Sequence, residues 1–93
     1  MQYDVKAAFT EADAALVPYR TRVKGLYIVV ETGGALPVIL YDNPTTGTGN
    51  VLAKFGAKVA GAHTVVIPPE GILAQNGVYC DIGDAAQVTV FYG

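Results

Sequence analysis

The chain has 93 residues, 52% of them hydrophobic and only 15% charged, with a formal net charge of −2. That length supports one modest core, so a single domain over residues 1–93 is expected, and the acidic excess argues against a protein that relies on neutralising phosphates. The lone cysteine, Cys80, excludes an intrachain disulfide or a cysteine cage for a metal, and no apolar run nears the roughly 20 residues of a membrane-spanning helix.

In chain order, Met1 to Lys6 lacks the basic-then-apolar order of a signal peptide, which predicts an intracellular product or one released by lysis. Tyr3 to Thr10 alternates, with Tyr3, Val5, Ala7 and Phe9 on one side and Asp4, Lys6, Ala8 and Thr10 on the other. That is the pattern of a half-buried strand with an ordinary wet face. Thr10 to Leu16 reads as one capped helical turn or, equally, as a loop or short strand ended by Pro18.

Arg20 to Glu31 is the longest expected strand. Simple parity puts Arg20, Arg22 and Lys24 on the face of Leu26, Ile28 and Val30, and a bulge at Gly25 resolves that conflict by shifting the phase one residue. Gly33-Gly34 supplies a tight turn into Ala35–Asp42, where Pro37, lacking an amide donor, demands an edge position or a strand that starts after it. Residues 43–50 form the longest polar loop, and Val51–Phe55 resumes as a strand with Lys54 on its wet side.

His63–Ile67 follows a Gly/Ala-rich connection and is closed by the turn Pro68-Pro69-Glu70-Gly71. Ile72–Ala74 is a short extended piece, Asn76-Gly77 marks a hairpin into Val78–Ile82, and residues 83–86 turn into Gln87–Tyr92. The expectation is an all-β fold: an antiparallel β-sandwich of about eight strands, jelly-roll-like.

Several strands are apolar on both faces, notably Leu26–Val30, Leu36–Tyr41 and Val88–Tyr92. A two-faced strand needs cover on both sides, and a chain short of charge gains that cover from another subunit. These runs, with Tyr41 and Phe91 among them, are therefore the expected inter-subunit contact. Arg20, Arg22 and Lys24 form the one basic cluster and read either as a solvated strand edge or as a dock for an acidic protein surface.

Catalytic and cofactor signatures are weak. Cys80 and His63 are the one nucleophile–base pairing, but nothing fixes their geometry, and Cys80 has the parity of a packed core residue. Asp81 and Asp84 are too few oxygens for calcium, and Thr46-Gly47-Thr48-Gly49-Asn50 lacks the lysine and helix of a phosphate loop. Neither a metal, a cofactor, a nucleic acid nor a membrane is expected as a partner. Tyr79 and Asp81 share a face, which is the sequence's one hint of a glycan platform.

The run Arg22-Val23-Lys24-Gly25-Leu26-Tyr27-Ile28, the strand Val38-Ile39-Leu40-Tyr41-Asp42, the stretch Ile67-Pro68-Pro69-Glu70-Gly71-Ile72-Leu73 leading to Asn76-Gly77-Val78-Tyr79-Cys80-Asp81, and the closing Val88-Thr89-Val90-Phe91-Tyr92 follow in an order that resembles small virion-associated β-sandwich proteins of tailed bacteriophages, decoration or cement proteins among them. The resemblance implies a homo-oligomer, a trimer favoured, bound to the major capsid protein on the capsid exterior after synthesis in the host cytoplasm. It carries over no catalytic residue. The alternative it leaves is a neck, tail or fibre-associated module that touches host glycan.

Overall fold

The computed structural model describes residues 6–34, 36–56, 58–65, 67–68 and 70–93. Within them nine strands form: Lys6–Thr10 (β1), Ala14–Val17 (β2), Thr21–Val30 (β3), Val38–Tyr41 (β4), Val51–Phe55 (β5), Gly61–Val65 (β6), Ile72–Ala74 (β7), Val78–Asp81 (β8) and Gln87–Tyr92 (β9). Every pairing is antiparallel. One sheet runs β1-β9-β3-β6, with β7 also on β3, and the other runs β2-β8-β4-β5.

β6 and β7 pair with successive stretches of β3, residues 26–30 and 21–23, so they act as one interrupted strand. Counted that way, there are eight strands in four nested antiparallel pairs: β1 with β9, β2 with β8, β3 with β6/β7, and β4 with β5. The pairs alternate between the sheets, which is the wrapped-hairpin topology of a jelly roll. The expected all-β sandwich is what forms. The Ala14–Val17 segment, open between helix and strand in sequence, becomes an edge strand because β8 offers it a ladder of amides and carbonyls.

Alternation decides what each strand buries. Val23, Leu26, Ile28 and Val30 of β3 and Val88 and Val90 of β9 point inward, against Val38 and Leu40 of β4 and Val78 and Cys80 of β8. Each large aliphatic removed from water there contributes about 1.5–3 kcal/mol. The bulge expected near Gly25 is present: Val23 pairs with Tyr92 but Gly25 with Phe91, so Lys24 is the extra residue. It lets Arg22 face out while Leu26 faces in. β4 starts after Pro37, as proline's missing donor requires.

Two turns differ from expectation. Asn76-Gly77 does not close a hairpin, because β7 and β8 lie in different sheets, and Gly33-Gly34 likewise sits in a link that crosses from β3 to β4. Local turn chemistry marks a reversal without saying which sheet the chain enters next. Carboxylates secure these crossings: Asp84 accepts the Leu36 amide at 2.8 Å, Asp42 that of Asn76 at 2.8 Å, and Asp13 that of Ile82 at 2.9 Å. Gly83 takes φ +55°, and a β-carbon on it would lie 2.7 Å from the Leu36 carbonyl oxygen, so glycine is needed at that crossing.

The N-terminal strand also corrects the sequence reading. Residues 3–5 of that alternation lie outside the described residues, but in β1 the apolar side turns outward: Ala7 and Phe9 are exposed, while Thr10 is buried. The face expected to be wet is the one that meets the core.

Candidate functional site

The outward residues of the β1-β9-β3-β6 sheet follow from its register. Ala7, Phe91 and Gly25 form one row across it; Phe9, Thr89, Tyr27 and Thr64 form the next; Gln87, Val29 and Ala62 form the third. None of these side chains is charged. Phe9 is 56% exposed, Tyr27 40% and Phe91 37%. Phe91 lies over Gly25, where a β-carbon would sit 3.5 Å from its ring, so the aromatic covers the backbone that the glycine leaves bare. Four strands at ~4.8 Å spacing and about 20 Å of strand length give a footprint of roughly 400 Å².

The outer face of the other sheet is finished differently. Ile39 is flanked by Lys54 on β5 and Asp81 on β8, and Tyr41 pairs across with Tyr79. The 43–50 loop comes down on this pair. A β-carbon at Gly47 would lie 3.1 Å from the Tyr79 ring and 3.7 Å from that of Tyr41, and the loop is shaped by Asn43 Oδ1, which accepts the amides of Thr45 and Thr46 at 2.9 and 2.8 Å. Tyr79 and Asp81 share the face, as expected, but the loop occupies ring surface that a sugar would need.

A third feature lies at one end of the sandwich. Lys6, Tyr19, Arg20, Thr21, Arg22, Leu73, Tyr92 and Gly93 line a cleft of about 240 Å³. None of these described residues is acidic. Arg22 donates to the Glu70 carbonyl oxygen at 3.4 Å, and its backbone pairs with that of Gly93. Burial, and then a hydrogen bond with Tyr19, push the Tyr92 phenol above its ordinary value.

The five residues expected to touch partners are thus divided among three places. Arg20 and Arg22 line the cleft, and Lys24, one bulge further along β3, packs its stem beside Gly71. Phe91 lies on the uncharged face, and Tyr41 lies on the opposite sheet beneath the loop. Tyr27, which strict parity sets opposite the basic residues, shares their outward side because of the bulge. Phe9, Lys6 and Tyr19 are not expected from sequence as partner contacts, and Tyr92 is expected only as part of the Val88–Tyr92 run. Phe9 gives no signal of facing out, and Lys6 meets the arginines only through the long-range pairing of β1 with β9.

Cys80 and His63 lie in different sheets, on β8 and β6. Cys80 is fully buried, and burial together with the charges of Asp13 and Asp81 pushes its thiol up to about 12, where it is a poor nucleophile at neutral pH. A His63 ring nitrogen lies 2.9 Å from the Val59 carbonyl oxygen. Asp84 and Asp81 are engaged by backbone amides, those of Leu36 and Gly83. Among the described residues no group of three or more His, Cys, Asp or Glu converges as a metal site.

No family model matches the chain, and neither curated proteins nor solved structures give a match.

Proposed function

We propose that this chain is a non-enzymatic structural protein of a tailed-bacteriophage virion, a decoration or cement protein that self-associates and binds the major capsid protein on the shell's exterior. One observation carries the reading: the uncharged, aromatic-studded outer face of the β1-β9-β3-β6 sheet. A free monomer ordinarily coats such a face with Lys and Glu, and patches of about 300–600 Å² are often functional contacts. Two such faces bury roughly 800 Å² in total, below the ~1,600 Å² of a standard stable pair. A module with contacts of that size suits a lattice, where many copies add avidity. The jelly roll supports the reading by analogy alone, since the same architecture is used by viral shells and by lectins.

The test is the virion itself. The protein should copurify with intact particles, labelled antibody should cover the shell, and sedimentation should show an oligomer, with a trimer favoured. Label confined to neck, tail or fibres replaces the reading with an accessory module of that part. Absence from purified particles overturns it.

A further inference from the structure

We propose that the cleft at the Arg20 end of the sandwich is a binding site for carboxylate side chains of an acidic protein segment. It gathers Lys6 from β1, Arg20 and Arg22 at the start of β3, and the phenols of Tyr19 and Tyr92 around one recess. The chain as a whole has eight acidic against six basic residues, so three cations in one cleft are a strong local reversal of sign. The side chains of Lys6 and Arg20 both line the recess, beside that of Arg22.

The chemistry selects carboxylate. Arginine's planar fork matches a carboxylate with two parallel bonds, and the tyrosine hydroxyls add polar groups to the recess. Phosphate sites usually add a nest of backbone amides, but here the amides of Arg22 and Gly93 are consumed by each other's carbonyls. A nucleic-acid strand needs a track of cations with stacking platforms. Among the described residues lining the cleft the cations are Lys6, Arg20 and Arg22, while Lys54 is on an edge strand of the other sheet. One wall is fixed, because Thr21 to Val23 pair with β7.

Amide NMR spectra of the whole protein, titrated separately with hexaglutamate, hexaglutamine and inorganic phosphate at low and high salt, test the site. Hexaglutamate should shift Lys6, Arg20 to Arg22 and Gly93, weaken with salt and saturate below phosphate, while hexaglutamine leaves the spectrum unchanged. Arg20→Ala should weaken binding roughly threefold to fivefold, within the range of an exposed charge pair. Arg20→Lys should restore only part of it, since a point charge cannot form the fork. Phe9→Asp, on the uncharged face, should leave binding intact.

Hexaglutamate that shifts other residues, or binds equally well to a Lys6→Ala/Arg20→Ala variant with a native spectrum, overturns the proposal. So does phosphate that fills the cleft at lower concentration. The outcome is independent of the virion reading, because no particle is involved. A chain that binds hexaglutamate here yet is absent from virions keeps this site and loses that function.

Discussion

The two outer faces of the sandwich obey the same alternation and reach opposite results. Over β4, β5 and β8, the outward side chains include Lys54 and Asp81, and a polar loop folds onto the tyrosines. Over the rows of β1, β9, β3 and β6 that carry Phe9, Tyr27 and Phe91, the described side chains are uncharged, and these three aromatic rings are open to the surroundings. One sheet thus furnishes its own second cover, and the other, among the described residues, leaves its aromatic rows open. The difference shows that a strand apolar on both faces has two remedies, a loop of its own chain or a surface of another.

The comparison is most severely tested where the faces should agree. Leu26 and Leu40 are the central buried residues of the two sheets, and both are essentially inaccessible to solvent. Truncation of either to alanine should cost about 2–5 kcal/mol in chemical denaturation. A cost near zero for Leu26 would mean that its sheet is held chiefly by partners outside the chain.

Cys80 sharpens the same point through pH. Its thiol has an ordinary value of 9.0 and is held up to about 12 in the fold. The unfolded chain therefore loses this proton first, and the contribution is intact below pH 9 and fades as pH rises from about 9 to about 12. The slope in that window is at most about 1.4 kcal/mol per pH unit, and Cys80→Ala should flatten it. In the native state at neutral pH, Cys80 should resist alkylation until denaturant is added.

A smaller loss, about 1 kcal/mol, is expected for Asp42→Ala, which removes the acceptor for the Asn76 amide at a crossing between sheets. Phe91→Asp should also cost about 1 kcal/mol, because its ring covers Gly25, and Phe9→Asp least, within about 0.5 kcal/mol because its ring is outside the core. Their effect should fall on sedimentation, where each shifts the protein toward monomer. Lys54→Asp, on the loop-covered side, should leave the assembly unchanged.

Much of the fold is legible in the residues. Alternation in β3, β8 and β9 gives the buried set, Pro37 fixes where β4 begins, and the mismatch between Lys24 and Leu26 demands the bulge that forms. What alternation cannot give is absolute facing. In β1 the apolar set of Ala7 and Phe9 points away from the core, because parity is symmetric and the choice is made by pairing with β9. Glycine turns behave likewise: Asn76-Gly77 announces a reversal, but the sheet to which the chain returns is settled by the pairing of β8 with β2 and β4, far away in sequence. The cleft was half legible, since the arginines stand close together while Lys6 and Tyr92 join them only through the fold.

The single extra residue at Lys24 also acts as an elbow. A bulge bends its strand and increases the local twist, so the half of β3 that carries Arg22 is turned relative to the half that carries Tyr27. The cleft and the uncharged face therefore point in different directions from one stiff strand. Deleting Lys24 keeps Val23 and Leu26 inward and Arg22 and Tyr27 outward, so both surfaces retain their chemistry while the angle between them changes. If neighbours bind at both, that angle sets the curvature of whatever the copies build, and one codon would tune it.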